Sequence, residues 1–378
     1  MKIVQINSVC NVGSTGRIMA DLARKANADG DEVICAYGRR SGNPDDLKVI
    51  RIGSDIDIYW HMLVTRLFDM HGLASKRATK GFLKQMDEFK PDMFHLHNLH
   101  GYYINYPMLF EYIKSHDISV RWTFHDSWPF TGHCAEPSCY DCFKWREEGC
   151  ERCLQSREYP KSIFSNKSER NFRLKKSAFL GVKDLKIITP SSWLAGLVRE
   201  SFLKDYEVEV VHNTIDKNVF RPTESAFRED YNLNGKTVYL CVSFVWHDEK
   251  LQSLLNMTKD FNDNEKLVLV GTTKKDKMIN TDRVIAIEKT DSREKLAEIY
   301  TAADVFVNPT VKDDNYPTVN LEAQACGTYV VTYDSGGVAE TIIPGMGYSV
   351  PYGDIHALLA KAREYVYEKD SSDKFGMR

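Results

Sequence analysis

Two carboxylates eight positions apart, Asp314 and Glu322, carry the most specific chemistry in this sequence. They lie in the run from Tyr300 to Thr341. There an apolar strand, Val305-Phe306-Val307, leads into an acidic loop holding Asp313 and Asp314, then a helix with Glu322 near its start, then the pair Gly336-Gly337. Open α/β sheets bind ligands in the loops at the carboxyl ends of their strands. A carboxylate accepts paired hydrogen bonds from vicinal hydroxyls, so Asp314 could grip a sugar and Glu322 a ribose, an order that suits a sugar nucleotide. A surface acidic loop before an amphipathic helix is the alternative reading, because short motifs also match by chance.

Three further groups invite chemistry. After the strand KIVQI comes NSVCNVGSTGRIMADLA, in which Gly13 and Gly16 flank Ser14-Thr15 at the start of a helix. Free amides at a helix start attract phosphate, and glycine permits close approach, although a plain tight turn fits the same residues. The loop does not fit G-x-G-x-x-G, which argues against a nicotinamide site. HLHNLHGYYINYP sets His95, His97, Asn98 and His100 behind one apolar strand, and VRWTFHDSWPFTGH sets His125 and Asp126 behind another. H-x-H is often a metal pair, but strand alternation also puts His95 and His97 on one face, where packing or hydrogen bonding would hold them. Finally, five of the nine cysteines crowd into residues 133–153: Cys134, Cys139, Cys142, Cys150 and Cys153. Two C-x2-C pairs can supply four thiolates to one tetrahedral, structural zinc, and a reducing compartment favours metal over disulfides. Reduced thiols in a loop are the other reading.

The elements that must position these groups are short β-branched or aromatic runs alternating with helical patterns: KIVQI, EVICAY, MFHLH, SVRWTF, LKIITPS, EVEVVHN, VYLCVSF, KLVLVG, VIAI, DVFVNP and TYVVTYD. Strands that read as continuous apolar runs are buried on both faces by helices, which predicts an α/β fold of two doubly wound, Rossmann-like units facing across a cleft. The expected domains are residues 1–215, with a cysteine-rich insertion over 133–153, and residues 216–353, followed by a final helix over 354–378 that, by likeness to known two-domain folds of this kind, returns to the first domain. A chain of 378 residues has room for two such cores, and a net charge of −3 with both signs spread throughout excludes a general nucleic-acid binder. No apolar run is long enough for a membrane span, and Met1-Lys2-Ile3 begins directly on a strand, so a cytoplasmic protein is expected.

At these residues the sequence resembles the retaining glycosyltransferases of family four, the glycosyl transferases group 1 class with the GT-B fold. Asp314, Glu322, Ala323, Ala325, Cys326, Gly327, Val330 and Val331 occupy the places of its E-x7-E signature and the following turn, and Gly336-Gly337 with Glu340 match the next. The first acid is Asp314 where the family has Glu. The resemblance implies that Asp314, with Asn315 beside it, meets the transferred sugar and that Glu322 holds the ribose. It puts Lys250 on the donor diphosphate, although Leu251 replaces a glycine and Val245 an arginine, so Lys274 or Lys275 could share that load and Lys250 could be a plain helix lysine. His125 resembles the histidine that meets the donor sugar near its anomeric carbon, a buried capping histidine being the alternative, and the Gly13 to Arg17 loop resembles the one that lines the cleft.

The cysteine pattern resembles that of surface-polysaccharide transferases, which implies Cys134, Cys142, Cys150 and Cys153 as the recurrent set with Cys139 as an alternate. Such enzymes imply a nucleotide-diphosphate sugar donor, a glycan or lipid-linked acceptor and no catalytic cofactor. Basic runs over 66–86 (Arg66, Lys76, Arg77, Lys80, Lys84) and 167–176 (Lys167, Arg170, Arg173, Lys175, Lys176) suit peripheral contact with an anionic membrane, or the solvated outer faces of a Rossmann unit. The expected activity is retaining sugar transfer in surface polysaccharide assembly. A sugar-nucleotide epimerase of the same fold and a non-catalytic sugar-nucleotide binder are the alternatives.

Overall fold

The computed structural model describes residues 1–374 apart from 147–148, 244–245, 247, 274–278, 291 and 311–313, with side chains described as far as residue 371. The chain forms two compact units, Met1–His212 and Asn213–Arg378. The first carries strands β1 (Lys2–Cys10), β2 (Glu32–Ser41), β3 (Lys48–Arg51), β4 (Met93–Leu96), β5 (Ser119–Thr123), β6 (Leu185–Thr189) and β7 (Glu207–Val210). Its helices are α1 (Gly13–Ala28), α2 (Asp55–Phe68), α3 (Lys76–Phe89), α4 (Tyr106–His116), α5 (Ser168–Phe179) and α6 (Ser192–Arg199). The second carries β8 (Thr237–Val242), β9 (Glu265–Thr272), β10 (Val284–Glu288), β11 (Val305–Asn308), β12 (Tyr329–Asp334) and β13 (Gly347–Pro351). Its helices are α7 (Phe227–Asp230), α8 (Asp248–Met257), α9 (Arg293–Ala302), α10 (Thr318–Ala325) and α11 (Ile355–Lys374).

Both sheets are parallel, in the orders β3-β2-β1-β4-β5-β6-β7 and β10-β9-β8-β11-β12-β13. Each order reverses once, between β1 and β4 and between β8 and β11, and a crevice opens at such a switch point beyond the strands' carboxyl ends. The second sheet shows how the apolar runs enforce this. Leu240, Val268, Val270, Phe306 and Val330 point to one face and pack with Ala297 and Tyr300 of α9. Their neighbours Tyr239, Cys241, Leu267, Leu269, Val305, Val307 and Val331 point to the other, as the two-residue period of a strand requires.

Leu358, Leu359 and Ala362 of α11 join that second face, and Arg363 makes paired bonds of 2.7 Å to the Glu265 carboxylate, so this stretch of α11 is anchored on the second unit. Leu358 is fully buried. Leu358→Ala should therefore destabilise the second unit by about 2–5 kcal/mol, seen as a lower denaturant midpoint at unchanged slope. A midpoint equal to that of the parent would place the helix elsewhere.

Candidate active site

The second unit gathers its expected residues at the β8/β11 switch point. Lys250, in the first turn of α8 after β8, donates from Nζ to Oδ1 of Asn308, the last residue of β11, at 2.9 Å. Asn308 Nδ2 donates to Asn320 Oδ1 at 3.0 Å, and Asn320 Nδ2 to Thr341 Oγ1 at 2.8 Å. This buried amide chain fixes the lysine head relative to α10 and to the turn beyond β12. Asp314 and the glycine pair are joined through backbone, since Gly337 N–H donates to Asp314 O at 3.0 Å. Gly336 has φ +58°, and a Cβ there would lie 2.6 Å from Asp314 O, so the close approach needs glycine on both counts. Asn315 is buried beside it, while Asp314 itself reaches solvent. Protein crowded around the Asp314 carboxyl raises its pKa, and the Lys250 charge pulls the other way.

Glu322 is buried on α10 and accepts a hydrogen bond from Tyr300 OH at 3.0 Å. Burial, and then the carboxylate itself, push the phenol well up, so Tyr300 stays a donor and holds the carboxylate's orientation. Asp313, Val245, Lys274 and Lys275 lie outside the described residues.

In the first unit a switch point gathers the β1, β4 and β5 loops. Gly13, at φ +64° with open space where a Cβ would sit, starts α1. Gly16 has a different task, because a Cβ there would meet Val9 Cγ2 at 3.0 Å. It is buried and lets α1 pack on the end of β1. His95, His97 and His125 form a stack with ring centroids 4.6 and 5.4 Å apart. His95 Nε2 meets Thr123 Oγ1 at 2.8 Å, and His97 Nδ1 meets His125 Nε2 at 3.1 Å. The hydrogen-bond pattern orients the Gln5 amide so that its nitrogen donates to Met19 O and to His97 Nε2 (3.1 Å) while its oxygen accepts from Ala23 N–H. His97 must then donate from Nδ1 to His125 Nε2, which leaves His125 with its proton on Nδ1. Burial lowers His125 to about 4 and holds His97 well below its ordinary value, so both rings are neutral. The pair His95/His97 is thus held by hydrogen bonds.

Sequence reasoning named His100 and Asp126 without joining them. His100 Nε2 lies 2.7 Å from Asp126 Oδ2, and its Nδ1 lies 2.9 Å from Tyr159 OH. Burial raises Asp126, but His100 and the Trp128 N–H more than offset this and keep its carboxyl below the ordinary range. Asn308, Asn320, Thr341 and Tyr300 were also missed. An asparagine closing the strand VFVN was the available signal, since a polar residue so placed must bond at the strand end.

The cysteines only partly converge. The Cys134 and Cys153 thiols hydrogen-bond each other, which lowers Cys153 to about 6 and raises Cys134. Burial raises Cys150 to about 12, and its sulfur accepts the Gly132 N–H at 3.1 Å. The adjacent His133 is buried, bonded through Nδ1 to Asp69 at 2.8 Å, with no partner on Nε2 among the described residues. Among the described residues no group of three or more His, Cys, Asp or Glu side chains is placed to hold a metal ion. Cys142, Cys150 and Cys153 all lie within electrostatic reach of Cys134, so the expected set shares one neighbourhood, although among the described residues these cysteines, Cys139 included, form no metal-ligand group.

Residues 15–219 match the family model described as Glycosyltransferase Family 4, and residues 236–368 the model described as Glycosyl transferases group 1. The chain is 22% identical over 377 residues to WcaC of Escherichia coli K12, provisionally named a colanic acid biosynthesis glycosyl transferase, covering 95% of this chain and 89% of that one. Its fold is shared with sucrose-phosphate synthase of Thermosynechococcus elongatus (TM-score 0.70, 17% identity, 97% of this chain and 90% of that one). The same holds for Anabaena HepE in complex with UDP (TM-score 0.68, 13% identity, 98% and 91%). With two doubly wound parallel sheets, a lysine, an acid pair and a glycine turn at the second switch point, and the family model matched over more than half its length, the chain belongs to Glycosyltransferase Family 4, with the GT-B fold.

Proposed function

We propose that the chain is a retaining glycosyltransferase that moves a sugar from a nucleoside-diphosphate donor to a growing, lipid-linked glycan in surface polysaccharide assembly. The observation that carries this reading is the Lys250–Asn308 bond at the carboxyl end of β11, with the Asp314 carboxyl within reach of the Lys250 charge and Glu322 following on α10, bonded to Tyr300. Glu322, oriented by Tyr300, accepts from the ribose hydroxyls. Lys250 offsets charge that grows on the diphosphate as its bond to the anomeric carbon breaks, the kind of preorganised electrostatic contact that lowers such barriers. Asp314 accepts from hydroxyls of the transferred sugar, and His125, neutral with its proton on Nδ1, donates to that sugar. The acceptor oxygen bonds to the anomeric carbon from the face the diphosphate leaves, and its proton passes to the departing phosphate oxygen. UDP on the HepE fold supports a nucleotide donor, and the likeness to WcaC supports polysaccharide as the destination.

The reading is tested by incubating the purified protein with a panel of sugar nucleotides, with and without a lipid-diphosphate-linked glycan. Acceptor-dependent release of nucleoside diphosphate, and a product whose new linkage keeps the donor's anomeric configuration, are expected. Epimerised donor without acceptor use, or binding without any product, would overturn it. In the same assay Asp314→Asn should lower turnover about 10- to 100-fold, the worth of one hydrogen bond to a charged group, with little loss of nucleotide affinity. Intact turnover would move the sugar contact to another residue.

A further inference from the structure

Helix α2 is built inside out. Its buried positions are His61 and Thr65, both polar, whereas Ile56, Tyr59, Trp60 and Leu63 are 80, 65, 60 and 47% exposed. At 100° per residue these four, with Leu67, fall on one stripe about 100° wide, the width of a face that normally packs on a core. The patch continues past the helix end. Phe68 is exposed there, and the Ile163 and Phe164 N–H groups both point at Arg66 O, at 2.8 and 3.4 Å, so exposed Phe164 lies against the same end. Soluble surfaces rarely carry so much contiguous apolar area without a partner.

The surroundings are basic. Arg66 and Lys167 are exposed at the carboxyl end, and Arg170 caps it by donating to Asp69 O at 2.6 Å. At the amino end, Ile56 and Arg77 of α3 line one cavity of about 480 Å³, and α3 carries Lys76, Lys80 and Lys84 on its exposed side. The two acids of α2 are engaged, Asp55 by Arg51 and Asp57 in the capping box with Ser54.

We infer that α2 lies in the plane of an anionic phospholipid bilayer, with Ile56, Trp60, Leu63 and Phe164 in the acyl boundary and the flanking lysines and arginines on the headgroups. Aromatic rings beside aliphatic anchors, rimmed by positive charge, are the composition of interfacial helices. A second copy of the chain is the poorer occupant, because a two-fold contact on this stripe would set Arg66 and Arg77 near their own counterparts. Among the described residues no helix is long and apolar enough to cross a membrane, so α2 is an anchor in the plane. The expected membrane role of the basic run over 66–86 is thereby relocated. That run is two helices, broken at left-handed Asp69, Gly72 and Ser75, and its apolar partner is the exposed face of α2. The proposal does not depend on the sugar chemistry.

The full chain should co-sediment with phosphatidylcholine vesicles containing about one third phosphatidylglycerol and bind pure phosphatidylcholine at least tenfold more weakly. Trp60→Ser combined with Leu63→Ser should weaken the anionic-vesicle binding by more than about tenfold, and Arg66→Glu with Lys80→Glu by a similar factor. Ile343→Ser, an exposed apolar position of the second unit, should change nothing. Because Trp60 and Leu63 face outward, thermal melting and nucleotide binding should be unaltered in their variant, which separates this result from the fate of the transferase reading. Absence of vesicle binding by the parent chain, or equal binding by the double serine variant, would overturn the inference. So would light scattering that shows a dimer which the serine variant splits while vesicle binding is absent.

Discussion

Lys250→Met is expected to lower kcat/KM about 100- to 1,000-fold, the range lost when one preorganised charge-stabilising contact is deleted. The fold should survive, because Lys250 is only half-buried and the Asn308 amide keeps its bond to Asn320 when the lysine is gone. Two effects act together. The cation proposed to face the diphosphate disappears, and so does the charge that pulls the Asp314 carboxyl down against its crowded surroundings. With that pull removed Asp314 holds its proton to higher pH, so the acid limb of the pH–rate profile should move upward in the variant. Lys250→Arg should recover part of the rate by restoring charge, and not all of it, since a guanidinium cannot reproduce the point contact with Asn308. Steady-state kinetics with titration calorimetry against the nucleoside diphosphate would separate loss of binding from loss of turnover. A change in kcat/KM smaller than about threefold would transfer the phosphate load to another base such as Lys274 or Lys275.

What the residue order makes legible follows the range over which each cause acts. Asp314, Glu322 and the Gly336-Gly337 turn were readable because one short run carries strand, loop, helix and turn in an order that admits few folds. Burial of β8, β9 and β11 on both faces was readable for the same local reason, from their continuous apolar runs. The Asn308–Asn320–Thr341 chain was not, because its partners lie 12 and 21 positions apart and meet only when β11 and α10 pack. Lys175 shows the limit of a residue-type rule. It was counted with the surface bases of α5, yet it is buried, with Nζ donating to Thr131 O at 2.9 Å and to Trp128 O, and burial lowers it to about 7. Nothing beside Lys175 in the sequence announces those carbonyls. The apolar set of helix α11 does not name its partner, and the contacts that do, Leu358, Leu359 and Ala362 on the second sheet and Arg363 on Glu265, are tertiary.

Acidification should unfold the first unit before the second, and the sign follows from its histidines. Gly72 N–H donates to His61 Nε2 at 3.1 Å while His61 Nδ1 bonds Ser75 Oγ at 2.8 Å, so the bonded tautomer is neutral and a second proton would expel the Gly72 contact. Burial lowers His61 to about 4, as it does His95 and His125, and it holds His71 and His97 well below their ordinary values. All five belong to the first unit. A group whose folded pKa lies below its unfolded value near 6.5 adds no cost above that value, and its stability contribution is lost as pH falls from about 6.5 towards 4. For His61 alone the loss at pH 5 is about 2 kcal/mol. The stacked His95, His97 and His125 titrate together, so their sum falls short of three independent groups. Five of the six tryptophans, Trp60, Trp122, Trp128, Trp145 and Trp193, also lie in the first unit, so tryptophan fluorescence reports mainly on its unfolding. Urea midpoints followed by fluorescence should fall steadily from pH 7.5 to pH 5. Leu358→Ala, whose defect sits in the second unit, should leave that fluorescence-detected pH dependence in place. A midpoint that stays constant over this range would mean that these histidines accept protons without unfolding, and the neutral tautomer assigned to His125 would fall with it.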